Sequence, residues 1–187
     1  VLAGVPYVLL SYAAFTFAPA AYGGVFMNGV LPAMTLVLGW FWLKERPRRS
    51  QVGGAVLIIA GAVLAAMDAI NGSVSGAWIG ALLFLTAASW FSVYLILNRV
   101  WQVTPLQVLL VISVLSGLIY VPIWYFFLPS NLAEAPPSQI LLQGAYQMLP
   151  NLVGLNLLTL AVRNVGASVS AAIMSAVPSL GAILGLV

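Results

Sequence analysis

Thr86, Trp90, Tyr94 and Asn98 recur at intervals of four residues, which puts a hydroxyl, an indole, a phenol and an amide on one face of a helix. Such a set can hold an organic solute that has a polar head and an apolar body. Gln143, Gln147 and Asn151 repeat the interval. Asn156 follows on a nearby face, and Pro150 removes a backbone donor beside them. Asn28 lies in the middle of a third apolar stretch, with Pro32 and Thr35 on its face. Tyr7, Ser11 and Tyr12 form a weaker group near the start. The amides weigh most, because an unpaired amide in hydrocarbon is costly and must face protein or water. The candidate substrate contacts are therefore Trp90, Tyr94, Asn151, Asn156, Asn28, Gln147 and Tyr12. Each has a plainer alternative. Trp90 can be a packing residue, Asn98 an interfacial one, and the amides can form hydrogen bonds between helices.

Other chemistry is poorly provided for. The chain has no cysteine and no histidine, so thiolate chemistry, disulfides and the commonest general base and metal ligand are absent. Its three carboxylates, Glu45, Asp68 and Glu134, all fall near expected membrane edges. An integral membrane enzyme would need an acid–base set or metal ligands, so the expectation is no enzyme, no cofactor and no metal. Nothing points to nucleic acid; the expected partners are a small-molecule substrate and the lipid bilayer.

The elements that carry these residues follow from composition. Charged residues make up 5% of the 187, hydrophobic residues 63%, and mean hydropathy is +1.13. A soluble domain usually has about a quarter charged residues, so this surface must face something apolar. A bilayer core needs roughly 20 apolar residues per helix. Charge-free runs of that size fall at about 1–17, 20–43, 50–68, 76–98, 106–128, 138–162 and 165–187, the last incomplete. Turn chemistry separates them, for example at Arg46-Pro47, Asn71-Gly72 and Thr104-Pro105. The runs do not alternate, which argues against a β-barrel.

Charge placement orients the helices. With Lys44, Arg46, Arg48 and Arg49 on the cytoplasmic side, helix alternation puts Arg99 and Arg163 there too, so all 6 basic residues share one face. Asp68 and Glu134 fall on the other. The basic loop is expected to serve topology and headgroup contact. Gly54, Gly61 and Ala65 are expected to allow close helix packing.

A shift of 146 residues lays Ala21 on Ala167, Pro32 on Pro178, Leu38 on Leu184 and Gly39 on Gly185. Under the charge assignment the two segments run in opposite directions, so the repeat is inverted. Inverted repeats mark secondary transporters, whose substrate site lies near the midplane between the repeats. The shift spans five helices. The expected architecture is an all-α, polytopic membrane bundle built as an inverted repeat of two five-helix units, with about seven helices visible. Residues 1–72 would hold the last three helices of the first unit and 73–187 the first four of the second. Two helices would precede Val1 and one would follow Val187.

Pro32 with its apolar run to Leu43, then Lys44-Glu45-Arg46-Pro47, Gly53-Gly54 and Gly61-Ala62-Val63-Leu64, resembles the first EamA repeat of the ten-helix branch of the drug/metabolite transporter superfamily. Gly76 to Arg99, with Ala88-Ser89-Trp90 and Tyr94, resembles the opening of the second repeat, and Ala161 to Gly185 its later part. The resemblance implies a multi-pass exporter or permease of a bacterial inner membrane. It would move small metabolites such as amino acids by alternating access through a central cavity. A passive channel or facilitator-type pore is the alternative, but the polar residues singled out above cluster in only three helices. A four-helix multidrug exporter is disfavoured by the helix count. No ionisable residue sits at the centre of a visible helix, so either the protein is a facilitator, or its coupling group lies elsewhere, or helix ends meet substrate charge.

Overall fold

The computed structural model describes residues 4–44, 46–71, 76–127 and 136–177. The elements, in order, are α1 (Val5–Phe17), α2 (Ala20–Tyr22), a π-helix (Gly23–Gly29), α3 (Leu31–Leu43), α4 (Arg49–Asn71), α5 (Ala77–Trp101), α6 (Pro105–Phe127), α7 (Pro137–Val165) and α8 (Ala167–Met174). Among the described residues, five spans are long and apolar enough to cross a membrane: 20–43 and α4 to α7. The chain is a multi-pass membrane helix bundle. Helix starts follow proline: Pro6 and Pro32 sit in the first two positions of α1 and α3, and α6 and α7 begin at Pro105 and Pro137. Lys44 and Gln102 end α3 and α5 in the left-handed conformation, with φ of 54° and 50°.

The span 20–43 is not the uninterrupted α-helix expected from its apolar run. Pro32 has no N–H to give to the carbonyl of Asn28, and its ring would crowd that carbonyl. The ladder before it widens instead, and Val30 N–H donates to the carbonyl of Val25 at 3.0 Å, five residues back. Asn28 therefore lies on a π-helix. The final segment is α-helical over Ala167–Met174, and Pro178, Leu184 and Gly185 of the proposed repeat lie outside the described residues.

α5 is the centre of the bundle. It packs against α1, α3, α4, α7, α8 and the π-helix, and Phe84, Leu95, Ile96 and Ser92 along it are fully enclosed. Gly80 lets α1 approach: a Cβ there would run into the Cβ of Ala18 and lie 2.9 Å from the carbonyl oxygen of Ala14. Gly54 and Gly61, expected to mediate close packing, have nothing within 4 Å of a built Cβ. A small residue permits close approach but does not cause it, and α4 lies at the periphery. Polar pairs join the inner helices, with the Thr35 hydroxyl 3.2 Å from that of Ser92.

The basic residues gather as the alternation requires. Arg99 and Arg163 sit in the last turns of α5 and α7, and Arg99 Nη1 donates to the Arg163 carbonyl at 2.6 Å. Arg46 lines a cavity with Arg99. At the far end of α4, Asp68 accepts a hydrogen bond from the Tyr22 hydroxyl. The positive-inside rule then predicts which end faces the cytoplasm. A single cysteine at Ser138, near the start of α7, should react with an impermeant thiol reagent on intact cells. One at Ser50, at the start of α4, should react only after permeabilisation. The reverse pattern would invert the assigned topology.

Candidate functional site

The α1, α5, α6 and α7 helices leave a cavity of about 690 Å3 between them, closed at one side by Met174 of α8. Each wall follows from helical spacing. Gly4, Val5, Tyr7 and Val8 come from the start of α1. Ser113, Ser116, Gly117 and Tyr120 form one stripe of α6 at intervals of three and four residues. Pro150, Asn151, Gly154, Leu155 and Leu158 form the matching stripe of α7. Phe91 of α5 makes the floor, its ring centroid 5.1 Å from that of Tyr7 and 5.4 Å from that of Tyr94.

Among the described residues, no charged side chain lines this space. Its polar groups are hydroxyls and one amide, set among aromatic rings and aliphatic walls. The volume lies within the usual range for small-molecule sites. Ser116 Oγ is buried and has no hydrogen-bond partner. A buried hydroxyl without a partner carries its desolvation cost uncompensated, so it is a ready contact for a polar group entering the cavity.

The seven residues singled out by sequence are dispersed. Asn151 lines the large cavity. Tyr94 lines a neighbouring, more apolar one of about 440 Å3 between α5 and α6, which shares Ile112 with the first. Asn156 is half-buried, and its Nδ2 donates to the Leu152 carbonyl of its own helix at 2.7 Å. Gln147 is exposed. Asn28 is half-buried on the π-helix and does not line the large cavity. Trp90 and Tyr12 point outward, 38% and 70% exposed.

The expected single face of Thr86, Trp90, Tyr94 and Asn98 divides in two. Four residues advance a helix by 400°, so each step drifts by about 40°. Thr86 and Trp90 consequently remain outside while Tyr94 and Asn98 turn into the bundle. Asn98, given an interfacial alternative, is 3% exposed; its Nδ2 lies 3.4 Å from the Tyr94 hydroxyl and its Oδ1 has no partner. Ser113, Ser116 and Tyr120 were not among the candidates. Their spacing was visible, but serine in a transmembrane run is unremarkable because its hydroxyl can bond within its own helix. They also add a fourth helix to the three in which polar residues were thought to cluster.

Residues 1–67 match the family model of the EamA-like transporter family. No curated protein and no solved structure matches the chain.

Proposed function

We propose that this chain carries a small neutral or zwitterionic metabolite, such as an amino acid, by alternating access, a reading supported by the match of residues 1–67 to the EamA-like transporter family model. The observation that carries the reading is the uncharged cavity of about 690 Å3 formed jointly by α1 and the later helices α5 to α8. Its aromatic rings supply apolar contact, while Ser116, Tyr120 and Asn151 orient a polar head without a buried charge. The protein works as an exporter or permease, and the membrane is a bacterial inner membrane. Residues 1–72 and 73–187 act as parts of two inverted five-helix units that rock about the cavity.

Proteoliposomes containing the purified protein should take up and release members of a metabolite panel with saturable kinetics. Unlabelled substrate on the far side should accelerate exchange, because a carrier returns faster loaded than empty. Flux that rises linearly with concentration, without such acceleration, would place the protein among passive pores instead.

A further inference from the structure

A third, smaller cavity lies at the basic end of the bundle and shares no residue with the large one. It holds about 160 Å3 and is lined by Arg46 and Pro47 before α4, Gln51 of α4, Trp40 of α3, Arg99 of α5 and the start of α8 at Ser168. We infer that this cavity binds a phosphate group, held between the guanidinium groups of Arg46 and Arg99.

Two arginines from separate elements, Arg46 and Arg99, line one small space, and no carboxylate is among the described residues that line it. Bringing like charges together in a partly enclosed site is unfavourable unless an anion lies between them. Arg99 is held in place from behind, because its Nη1 donates to the Arg163 carbonyl at 2.6 Å. A guanidinium fixed in this way presents its other N–H groups as a fork, the geometry that grips phosphate oxygens in pairs. Gln51 adds an amide, and Ser168 adds a hydroxyl. The backbone N–H groups that open α8 have no side-chain cap and reinforce a field already set by the arginines.

Size and position narrow the ligand. The volume is about that of five water molecules, which suits a phosphate with a short substituent and excludes a solute filling the large cavity. The site is at the end of the spans where all the described basic residues gather, the level at which lipid phosphates lie against a membrane protein. A phospholipid headgroup and a soluble phosphate monoester both offer this chemistry. The site touches α3, α4, α5 and α8 at once, so its occupant ties the first visible helices to the later ones. The inference is independent of the transport reading, because binding here is measured without substrate.

The test uses the purified protein in detergent and follows thermal unfolding and bound mass by native mass spectrometry. One arm adds glycerol phosphate, a second a short-chain phosphatidic acid, a third phosphatidylcholine, and a fourth acetate. The two phosphate monoesters, glycerol phosphate and phosphatidic acid, should raise Tm in a saturable way and add one bound mass, whereas phosphatidylcholine, whose phosphodiester is neutralised by its own ammonium, should bind at least roughly tenfold more weakly. Response to phosphatidic acid alone identifies a lipid headgroup as the source; response to glycerol phosphate as well identifies a site open to soluble phosphate. Arg46→Gln should weaken binding at least roughly tenfold, the size of a lost charge-assisted hydrogen bond. Arg99→Gln should do the same, and Ser168→Asp, which brings a carboxylate into the cavity, serves in its place if Arg99→Gln fails to fold. Arg48→Gln alters the same basic end outside the cavity and should change affinity less than twofold. No saturable response to either phosphate ligand would overturn the assignment, as would equal losses in Arg46→Gln and Arg48→Gln or an equal response to acetate.

Discussion

Gly80→Val should abolish recovery of folded protein from the membrane, and Gly80→Ala should lower Tm by roughly 2–12 °C. The first Cβ atom already collides with Ala18 on α1 and comes within 3.1 Å of its backbone nitrogen. Neither neighbour is the end of a flexible side chain, so relief requires α1 and α5 to separate. Overpacking of this kind costs about 1–3 kcal/mol for a small increment and more for a branched side chain. α5 is the helix against which most of the others pack, so the strain cannot be confined to an edge. Gly61→Ala on α4, where no atom lies within 4 Å, is the matched control and should leave Tm unchanged. Size-exclusion profiles and thermal unfolding of the three variants in detergent decide the matter. A monodisperse Gly80→Val with wild-type Tm would show that α1 does not approach α5 as described.

Ser116→Ala and Asn151→Ala should each reduce transport about tenfold, and neither should lower stability. Asn151 projects from α7 into an open cavity, so its truncation removes a contact for the solute and little else. Ser116 Oγ is buried without a partner. Removing an unsatisfied hydroxyl is neutral or stabilising, so Tm of Ser116→Ala should stay level or rise while transport falls. A lost hydrogen bond to a neutral group is worth about 0.5–1.5 kcal/mol, which spans roughly 2- to 13-fold in affinity. The losses should therefore appear mainly in the substrate concentration for half-maximal transport. Two results would remove these residues from the site: unchanged transport in both variants, or an Asn151→Ala protein whose lost activity tracks lost stability.

Membrane residence, helical class and the order of the helices could be read from the residues alone. A chain with 5% charge cannot cover itself with polar groups, and in lipid the backbone must be satisfied within helices or a closed barrel, whose alternating pattern these runs lack. Those two facts leave long apolar helices, and the prolines and the basic residues mark their ends. The gathering of Arg46, Arg99 and Arg163 at one end also followed, because helices of membrane length alternate in direction. Residues 1–67 carried the family pattern in the same legible way.

Which faces meet was settled by packing. An apolar helix in a membrane has no polar side to reveal its orientation, so lipid-facing and bundle-facing residues look alike in sequence. Trp90 and Tyr94 differ by one helical turn, yet the drift of the turn and the position of α1 leave Trp90 outside and Tyr94 enclosed. Gly80 and Gly61 are the same residue in similar surroundings, and only the path of α1 makes one of them a contact. The stripe of Ser113, Ser116 and Tyr120 gained significance when α6 was set beside α7, because a hydroxyl satisfied by its own helix and one left bare in a cavity have the same sequence. The cavity at Arg46 and Arg99 is of the same kind. Both residues were expected on one membrane face, but their convergence on a single pocket depended on how the end of α5 meets the start of α8.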